Sequence, residues 1–184
     1  MMGHFPLFLD LSGKTILVVG TTPAAREKME RLSPFGGTLL QVETYSEEDL
    51  EIPPVLVIAA LADREENARV SGACQARNIP VNVVDDPELC SFFFPALITR
   101  GALSVGISTA GKSPAAASLL RQRVEEQIPG RIDEILDWSQ ELRLQAQSAI
   151  CDPTARAAFL RRCIAEAMIQ NRPLSDEETA LLIP

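Results

Sequence analysis

Residues 14–25 read Lys14-Thr-Ile-Leu-Val-Val-Gly-Thr-Thr-Pro-Ala-Ala25. The first half is a short β-branched run that ends at a glycine, which is typical of a strand buried on both faces of a sheet. Residues 23–34 then carry apolar side chains at helical spacing. The stretch therefore predicts an α/β domain that opens on a strand, a glycine turn and a helix.

The alternation of strand and helix continues as far as residue 90. Apolar runs of strand length and one helix-compatible polar stretch follow, over residues 38–44, 55–60, 63–78 and 81–84. Such alternation implies a parallel sheet joined by right-handed crossovers. We therefore expect the α/β fold class, with a Rossmann-like parallel sheet domain over residues 1–90.

The character of the sequence changes after residue 90. Residues 92–98 and 102–108 read as two further strands, and Ser113-Pro114 begins a helix with an N-cap residue followed by proline. Beyond Pro129-Gly130 the apolar residues keep helical spacing. These patterns predict a small α+β segment over residues 91–130 and a C-terminal helical region over residues 131–184.

Composition narrows the classes of function. The chain has 17 Lys and Arg against 25 Asp and Glu, a net charge of −8, which disfavours a nucleic-acid partner. No stretch approaches the ~18 apolar residues of a membrane helix, and the N-terminus does not resemble a signal peptide. The four cysteines are scattered, and no His, Cys or Glu cluster has the spacing of a metal site. We expect a cytoplasmic protein with no membrane partner and no resident metal.

The turn after the first strand departs from the dinucleotide-binding fingerprint G-x-G-x-x-G/A. Gly20 and Ala25 fit its first and last positions, but Thr22 stands in place of the middle glycine. That glycine lets the backbone approach a pyrophosphate, and Pro23 lacks an N–H to offer a phosphate. Two interpretations remain open: a dinucleotide site with altered phosphate contacts, or a Rossmann-like sheet that has lost tight cofactor binding.

Several blocks of sequence, taken in order, resemble one family. They are Phe5–Gly13, Val18–Gly20, Pro34–Gly36, Asn67–Val70, Val81–Pro87, Ser91–Ala96 and Ile107–Ala115. The chain resembles the precorrin-2 dehydrogenase / sirohydrochlorin ferrochelatase family, which forms the N-terminal half of siroheme synthases. The resemblance extends to about residue 130.

The resemblance implies an enzyme of siroheme and porphyrin biosynthesis. It implies NAD-dependent oxidation of precorrin-2 to sirohydrochlorin, with iron as the substrate of a following ferrochelatase step. It also implies a homodimer, in which residues 91–130 are the dimerisation segment and residues 131–184 help to enclose the tetrapyrrole. Three alternatives stay open: a chelatase or tetrapyrrole-binding protein that has lost NAD-dependent activity, a non-catalytic assembly partner, and a regulatory domain for another nucleotide.

Asp85 matches the family's candidate catalytic aspartate. It follows a predicted strand at the carboxyl end, where open α/β sheets bind ligands. Its implied role is that of a general base, which takes a proton as hydride leaves the macrocycle and accepts pyrrole N–H protons during metal insertion. The alternative is a turn-forming aspartate beside Asp86-Pro87, whose side chain bonds to nearby backbone.

The other predicted site residues fall into two sets. The cofactor set is Gly20, Thr21, Thr22, Ala25, Glu43, Ala60 and Leu61. Within it Glu43 would bind ribose hydroxyls and favour NAD over NADP, and Leu61 stands where the family commonly has threonine. The substrate set is Arg100, Thr109, Gly111, Lys112 and Ser113. This loop precedes a helix N-terminus, which attracts carboxylates, although an ordinary Ser113-Pro114 cap explains the same residues.

Overall fold

The structure, a computed structural model, describes residues 4–182. These residues belong to two compact units. The first comprises Leu7–Phe94, and the second comprises the chain from Pro95 onward together with the N-terminal residues up to Pro6. The three-part division expected from the sequence, with boundaries at residues 90 and 130, stays a prediction.

The first unit contains a four-stranded parallel sheet. Its strands are β1 (Thr15–Val19), β2 (Thr38–Val42), β3 (Leu56–Ala59) and β4 (Val81–Val83), in the spatial order β2-β1-β3-β4. The predicted Rossmann-like parallel sheet is confirmed. Because β2 lies on one side of β1 and β3 on the other, the strand order reverses between β1 and β3. Open α/β sheets bind ligands in the crevice outside the carboxyl ends of such a strand pair.

Two helices cover this sheet, α1 (Pro23–Leu32) and α2 (Arg64–Ala76). Successive side chains of a strand point to opposite faces, so Ile16 and Val18 pack in the cluster that contains Ala25 and Leu32 of α1. The alternate residues of β1 pack instead in the cluster that contains Val70 of α2. Since both faces are covered, β1 is buried on both sides and reads as one continuous apolar run.

The strand predicted over residues 92–98 is wrong in its first half. Strand β5 covers Ala96–Arg100, whereas Phe92 and Phe94 pack partly buried against the α1 side of the first unit's core. The Phe94 ring centroid lies 5.2 Å from Lys28 Nζ and 5.1 Å from the Arg31 guanidinium carbon. A short apolar run does not by itself distinguish a strand from an irregular segment that fills a core.

The second unit begins with a two-stranded antiparallel hairpin of β5 and β6 (Leu103–Ile107). Gly101 in its turn has a φ of +52°, and a Cβ there would lie 2.6 Å from the Asp133 carboxylate. Helix α3 (Pro114–Glu126) packs on both strands. The rest is helical, as predicted, and comprises α4 (Ile132–Ala149), α5 (Pro153–Gln170) and α6 (Asp176–Ala180).

The helical region has an apolar core of its own. Ile135 and Leu142 of α4 pack with Phe159 and Cys163 of α5, and all four side chains are buried. None of the helices within residues 4–182 is long and apolar enough to span a membrane. All four cysteines are free thiols.

Candidate functional site

The carboxyl edge of the parallel sheet brings the predicted cofactor residues and Asp85 to the same side of the first unit. Gly20 directly follows β1, Glu43 follows β2, Ala60 follows β3, and Asp85 comes soon after β4. The carboxyl ends of parallel strands share one edge, which explains why residues distant in sequence meet there. The predicted substrate residues lie on the second unit.

Glycine is required at position 20 because main chain at the end of β3 lies too close for any side chain. Its φ is +107°, and a Cβ at this position would lie 2.4 Å from the carbonyl oxygen of Ala60. Its N–H donates to the Val42 carbonyl at 2.8 Å, and its own carbonyl accepts from Gln41 Nε2 at 2.9 Å. The first glycine of the fingerprint therefore has a packing role in this fold, whatever its role towards a ligand.

Thr22 joins the first turn to the end of β3. Its Oγ1 donates to the Ala60 carbonyl at 3.0 Å and accepts from the Ala25 N–H at 3.2 Å. The hydroxyl thus lies between the carboxyl ends of β1 and β3, where the strand order reverses. The Thr22 hydroxyl therefore caps α1 and also links the ends of β1 and β3.

Helix α1 has few amide groups left for an anion. Pro23 has no N–H, the Ala25 N–H is held by the Thr22 hydroxyl, and the Arg26 N–H donates to the Thr22 carbonyl at 3.2 Å. In the part of the chain that the structure describes, Ala24 has the one first-turn amide without a partner. A phosphate at this turn would meet the helix dipole and one N–H, rather than the several that such turns commonly present.

The same device opens two other helices. Ser113 accepts from the Ala116 N–H at 3.1 Å before α3, and Asp152 accepts from the Ala155 N–H at 2.7 Å before α5. In each case proline follows the capping residue, as Pro23 follows Thr22. The α1 terminus is therefore built like an ordinary capped helix start.

Ala60 and Leu61, the two residues directly after β3, use their main-chain polar groups internally. The Ala60 N–H donates to the Val19 carbonyl at 2.8 Å, and the Ala60 carbonyl accepts from Thr22. The Leu61 N–H donates to Asn67 Oδ1 at 3.1 Å, and Asn67 Nδ2 donates to the Leu61 carbonyl at 2.9 Å. Asn67 lies in one of the resembling sequence blocks, but its pairing with Leu61 has no signature in the sequence because it joins a helix to a preceding loop.

Asp85 presents an unpartnered carboxylate. The residue is exposed, has a φ of +61°, and makes no hydrogen bond or ion pair within residues 4–182. The neighbouring Asp86 is ion-paired, since Arg64 Nε lies 2.8 Å from its carboxylate. A left-handed backbone is uncommon outside glycine and is enriched at functional sites, although aspartate adopts it more readily than most residues. The side-chain bond to backbone expected of a turn-forming Asp85 is not observed.

Buried polar side chains hold the turn that carries Asp85. Ser71 Oγ donates to the Leu89 carbonyl at 2.7 Å, and Asn82 Nδ2 donates to the Phe92 carbonyl at 3.1 Å. The Cys90 Sγ accepts from the Val83 N–H at 3.1 Å, and burial raises the pKa of this thiol. The cysteine is therefore a structural, protonated group.

On the second unit Arg100 is already paired. Its Nη2 lies 3.2 Å from Glu125 Oε1, and Arg121 Nη1 lies 2.5 Å from Glu125 Oε2. Hydrogen bonds from Arg100 and then Arg121 hold the pKa of Glu125 below its ordinary value. This ion pair engages Nη2 alone, and the predicted contact of Arg100 with a substrate carboxylate stays a prediction.

The loop before α3 is closed by its own hydrogen bonds. Thr109 Oγ1 donates to the Ser113 carbonyl at 3.1 Å, and the Lys112 N–H donates to the Thr109 carbonyl at 3.1 Å. Ala110 and Gly111 are left-handed, with φ of +51° and +76°. The predicted Ser113 cap is confirmed. The Lys112 ammonium is exposed and pairs with no carboxylate in the described part of the chain, so a substrate role for the loop rests chiefly on this group.

Two family models match the chain. Residues 37–96 match a family that carries the provisional description NAD(P)-binding, and residues 100–127 match the family described as sirohaem biosynthesis protein, central. The first match begins beyond the turn that contains Thr22. It covers the ends of β2, β3 and β4.

Siroheme synthases are similar to nearly the whole chain. The siroheme synthase of Tolumonas auensis is 34% identical over 186 residues, which cover 91% of this chain and 40% of that protein. The one from Methylococcus capsulatus is 35% identical over 206 residues, covering 98% and 43%. This chain therefore spans about two fifths of the length of these curated relatives.

A solved structure shows the same fold. It is that of SirC, a precorrin-2 dehydrogenase, with a TM-score of 0.73 and 18% identity, covering 97% of this chain and 96% of that one. The family resemblance seen in the sequence is confirmed by these matches together. The chain belongs to the siroheme synthase family and corresponds to a part of those longer proteins.

Proposed function

We propose that this chain catalyses the NAD-dependent oxidation of precorrin-2 to sirohydrochlorin in siroheme biosynthesis. The observation that carries the proposal is the exposed, unpartnered Asp85 carboxylate at the same sheet edge as the crevice between β1 and β3. The siroheme synthases among the relatives and the dehydrogenase with the same fold support it.

The reaction removes two hydrogens from the macrocycle. One leaves as hydride to the nicotinamide ring, which NAD supplies when bound, and the other leaves as a proton to Asp85. A positioned carboxylate contributes roughly 10²–10⁴ in rate to such a proton transfer. Asp85 suits this role because no neighbouring cation is engaged with its carboxylate.

The residues at the sheet edge fit an NAD molecule unevenly. The Glu43 carboxylate at the end of β2 suits the adenosine ribose hydroxyls and would repel the extra phosphate of NADP. Gly20 and Thr21 border the crevice, and Ala60 with Leu61 would contact the cofactor through carbon. The fit is poorest at the pyrophosphate, where Thr22 holds the Ala25 amide. We expect NAD to bind, with weaker phosphate contacts than a glycine turn allows.

A second candidate function follows from the same hydroxyl. Because Thr22 closes the turn onto Ala60, a chelatase or tetrapyrrole-binding protein that no longer uses NAD is the alternative. In that case iron is the substrate, and Asp85 accepts the pyrrole protons that the metal displaces. Within the described residues no group of three or more His, Cys, Asp or Glu side chains could hold a metal ion.

Substrate contact on the second unit is proposed for the loop before α3. Lys112 would attract the carboxylates of the tetrapyrrole, while Thr109, Gly111 and Ser113 shape the loop that carries it. Arg100 would join them on exchanging Glu125 for a substrate carboxylate, which is a charge-for-charge replacement.

We also propose a homodimer formed through the segment of β5, β6 and α3. A two-stranded sheet is marginally stable alone, and α3 has no buried residue. Leu119 and Leu120 on this helix are 50% and 45% exposed. A second copy placed on this surface would cover them. Sedimentation of the full chain tests the dimer, and a cytoplasmic location remains a prediction.

The assay that tests the proposed function follows precorrin-2 by its absorbance under anaerobic conditions. We expect sirohydrochlorin to form with NAD, more slowly with NADP, and not without either. Iron is then added to the sirohydrochlorin to test for siroheme formation. Iron insertion without any NAD-dependent oxidation would favour the second candidate.

A further inference from the structure

The described chain buries three polar side chains, Asn67, Ser71 and Asn82. Each of them bonds to main chain that follows β3 or β4, and Ser71 and Asn82 also bond to the side chains of Gln75 and Cys90. A buried amide or hydroxyl is costly unless it is hydrogen-bonded, and an apolar side chain would fill the same space without that cost. The three groups therefore hold the loops of one sheet edge in a defined conformation.

Among these three, Asn67 makes the most complete contact. Its side-chain amide forms two bonds with one residue: Oδ1 accepts from the Leu61 N–H, and Nδ2 donates to the Leu61 carbonyl. The paired bonds fix the Leu61 peptide groups in both position and rotation. Asn67 lies in the first turns of α2, so it ties that helix to the loop leading into it.

The consequence lies at the floor of the crevice. With Ala60 N–H bonded to the Val19 carbonyl and Leu61 N–H bonded to Asn67, these two residues directly after β3 offer a ligand no unpaired N–H. Because Ala60 is 2% exposed, half-buried Leu61 supplies the accessible surface here, and its main chain is held by the buried Asn67 side chain. Such a floor suits the flat face of a ring better than a charged group.

We infer that Asn67 is a positioning residue. It holds the Ala60–Leu61 main chain as an apolar floor for one of the aromatic rings of NAD. The inference rests on the proposed NAD-dependent reaction and assigns it a residue that touches neither cofactor nor substrate. Displacing main chain that contacts the cofactor weakens its binding, whereas the rate at saturating cofactor falls only if the reacting groups move as well.

Asn67→Ala tests the inference by kinetics. We expect KM for NAD to rise roughly tenfold while kcat at saturating NAD stays within about twofold, because the floor is disturbed and Asp85 is not. Amide hydrogen exchange at Leu61 is expected to accelerate in the same variant without any ligand. Ile79→Val, a buried change just beyond the C-terminal end of α2, serves as the control for general loss of stability.

Asn67→Asp gives a second, pH-dependent readout. A protonated carboxyl accepts from the Leu61 N–H and donates to its carbonyl as the amide does, whereas a carboxylate can only accept. Measured against the wild type at each pH, KM for NAD in this variant is expected near the wild-type value in acid and to rise towards the Asn67→Ala value as pH increases.

An unchanged KM in Asn67→Ala, with a wild type that turns over, overturns the inference and leaves the proposed function standing. So does an equal rise in KM for Ile79→Val, since loss of stability would then explain both. A wild-type chain that binds no NAD overturns the proposed function and the inference with it.

Discussion

The Thr22 hydroxyl donates a 3.0 Å hydrogen bond to the Ala60 carbonyl and so joins the turn after β1 to the end of β3. The same oxygen accepts from the Ala25 N–H. One side chain thus occupies an acceptor on β3 and a donor on α1, at the point of the sheet where a dinucleotide is expected. Whether this chain works as an NAD-dependent enzyme depends on how strongly the Thr22 contact opposes the binding of NAD.

Replacing Thr22 by glycine is expected to tighten NAD binding roughly tenfold, which corresponds to about 1.4 kcal/mol. The change frees the Ala25 amide and restores the close backbone approach of the fingerprint. Glycine is itself a tolerated N-cap, but the bond to the Ala60 carbonyl is lost as well, so the free energy of unfolding should fall by about 1–2 kcal/mol. Calorimetric titration with NAD measures the dissociation constant.

Asp152→Gly is the matched control, because Asp152 caps α5 with the same geometry and is followed by proline. It should leave NAD affinity unchanged. Equal NAD affinity in wild type and Thr22→Gly would show that the Thr22 contact does not limit cofactor binding.

Replacing Asp85 by asparagine should lower kcat for precorrin-2 oxidation by roughly 10²–10⁴, because the amide cannot take the proton. NAD affinity should be unaffected. Glu88→Gln, an exposed carboxylate in the following turn, is the control for loss of negative charge alone. Full activity of Asp85→Asn in a single-turnover assay would remove Asp85 from the mechanism.

Replacing Glu43 by serine should reduce the preference for NAD over NADP roughly tenfold, as the carboxylate no longer binds ribose hydroxyls or repels a ribose phosphate. The ratio of kcat/KM for the two cofactors measures this preference. Glu48→Ser, at an exposed carboxylate five residues further along the chain, tests whether loss of any negative charge in this region has the same effect. An unchanged ratio in Glu43→Ser would place the ribose elsewhere.

Stability at alkaline pH should depend on Tyr45 and Cys74. Burial, followed by the Glu47 charge, raises the pKa of Tyr45 to about 12, and burial raises the pKa of Cys74 to about 11. Both groups hold their protons more tightly when folded than when unfolded. Their contribution to stability is therefore complete below pH 9 and is lost as the pH rises towards 12.

Tyr45→Phe isolates the phenol. Its hydroxyl is buried with no hydrogen-bond partner of normal geometry in the described part of the chain, so its removal should raise the free energy of unfolding by about 1 kcal/mol at neutral pH. Urea unfolding from pH 8 upward should show a shallower alkaline decline than the wild type. A steeper decline would contradict this.

Acid stability should depend on Glu178 in α6. Hydrogen bonds from Arg172 and then the Ser175 backbone lower its pKa to about 2, from an ordinary value of 4.5. A lowered folded-state pKa stabilises the fold above pH 4.5, and this stabilisation is lost as the pH falls towards 2. Glu178→Gln should flatten the acid limb of the unfolding curve, whereas Glu177→Gln on the same turn should not.

The parallel sheet was predictable because three of its four strands, β1, β3 and β4, are buried at nearly every position. The run ending at Val19 is apolar at every position, and a glycine follows it directly, so element type and order could be read from the sequence. The start of β5 was missed because Phe92 and Phe94 fill the core of the preceding unit. Nothing in a local pattern states which core an aromatic side chain will join.

The candidate site was predictable in place but not in contacts. Strand ends share one edge, so Glu43, Ala60 and Asp85 were expected together on topological grounds. The pairs Thr22–Ala60 and Asn67–Leu61 depend on side-chain geometry between segments. The ion pair between Arg100 of β5 and Glu125 of α3 also depends on side-chain geometry between segments. Such contacts have no signature in sequence spacing.

The most direct test of NAD-dependent precorrin-2 oxidation is the stoichiometry of a single anaerobic reaction. The full chain is mixed with precorrin-2 and NAD, and NADH and sirohydrochlorin are quantified together. We expect one NADH for each sirohydrochlorin formed, and no sirohydrochlorin when NAD is left out. Sirohydrochlorin without NADH, or no reaction together with no detectable NAD binding, would contradict this expectation.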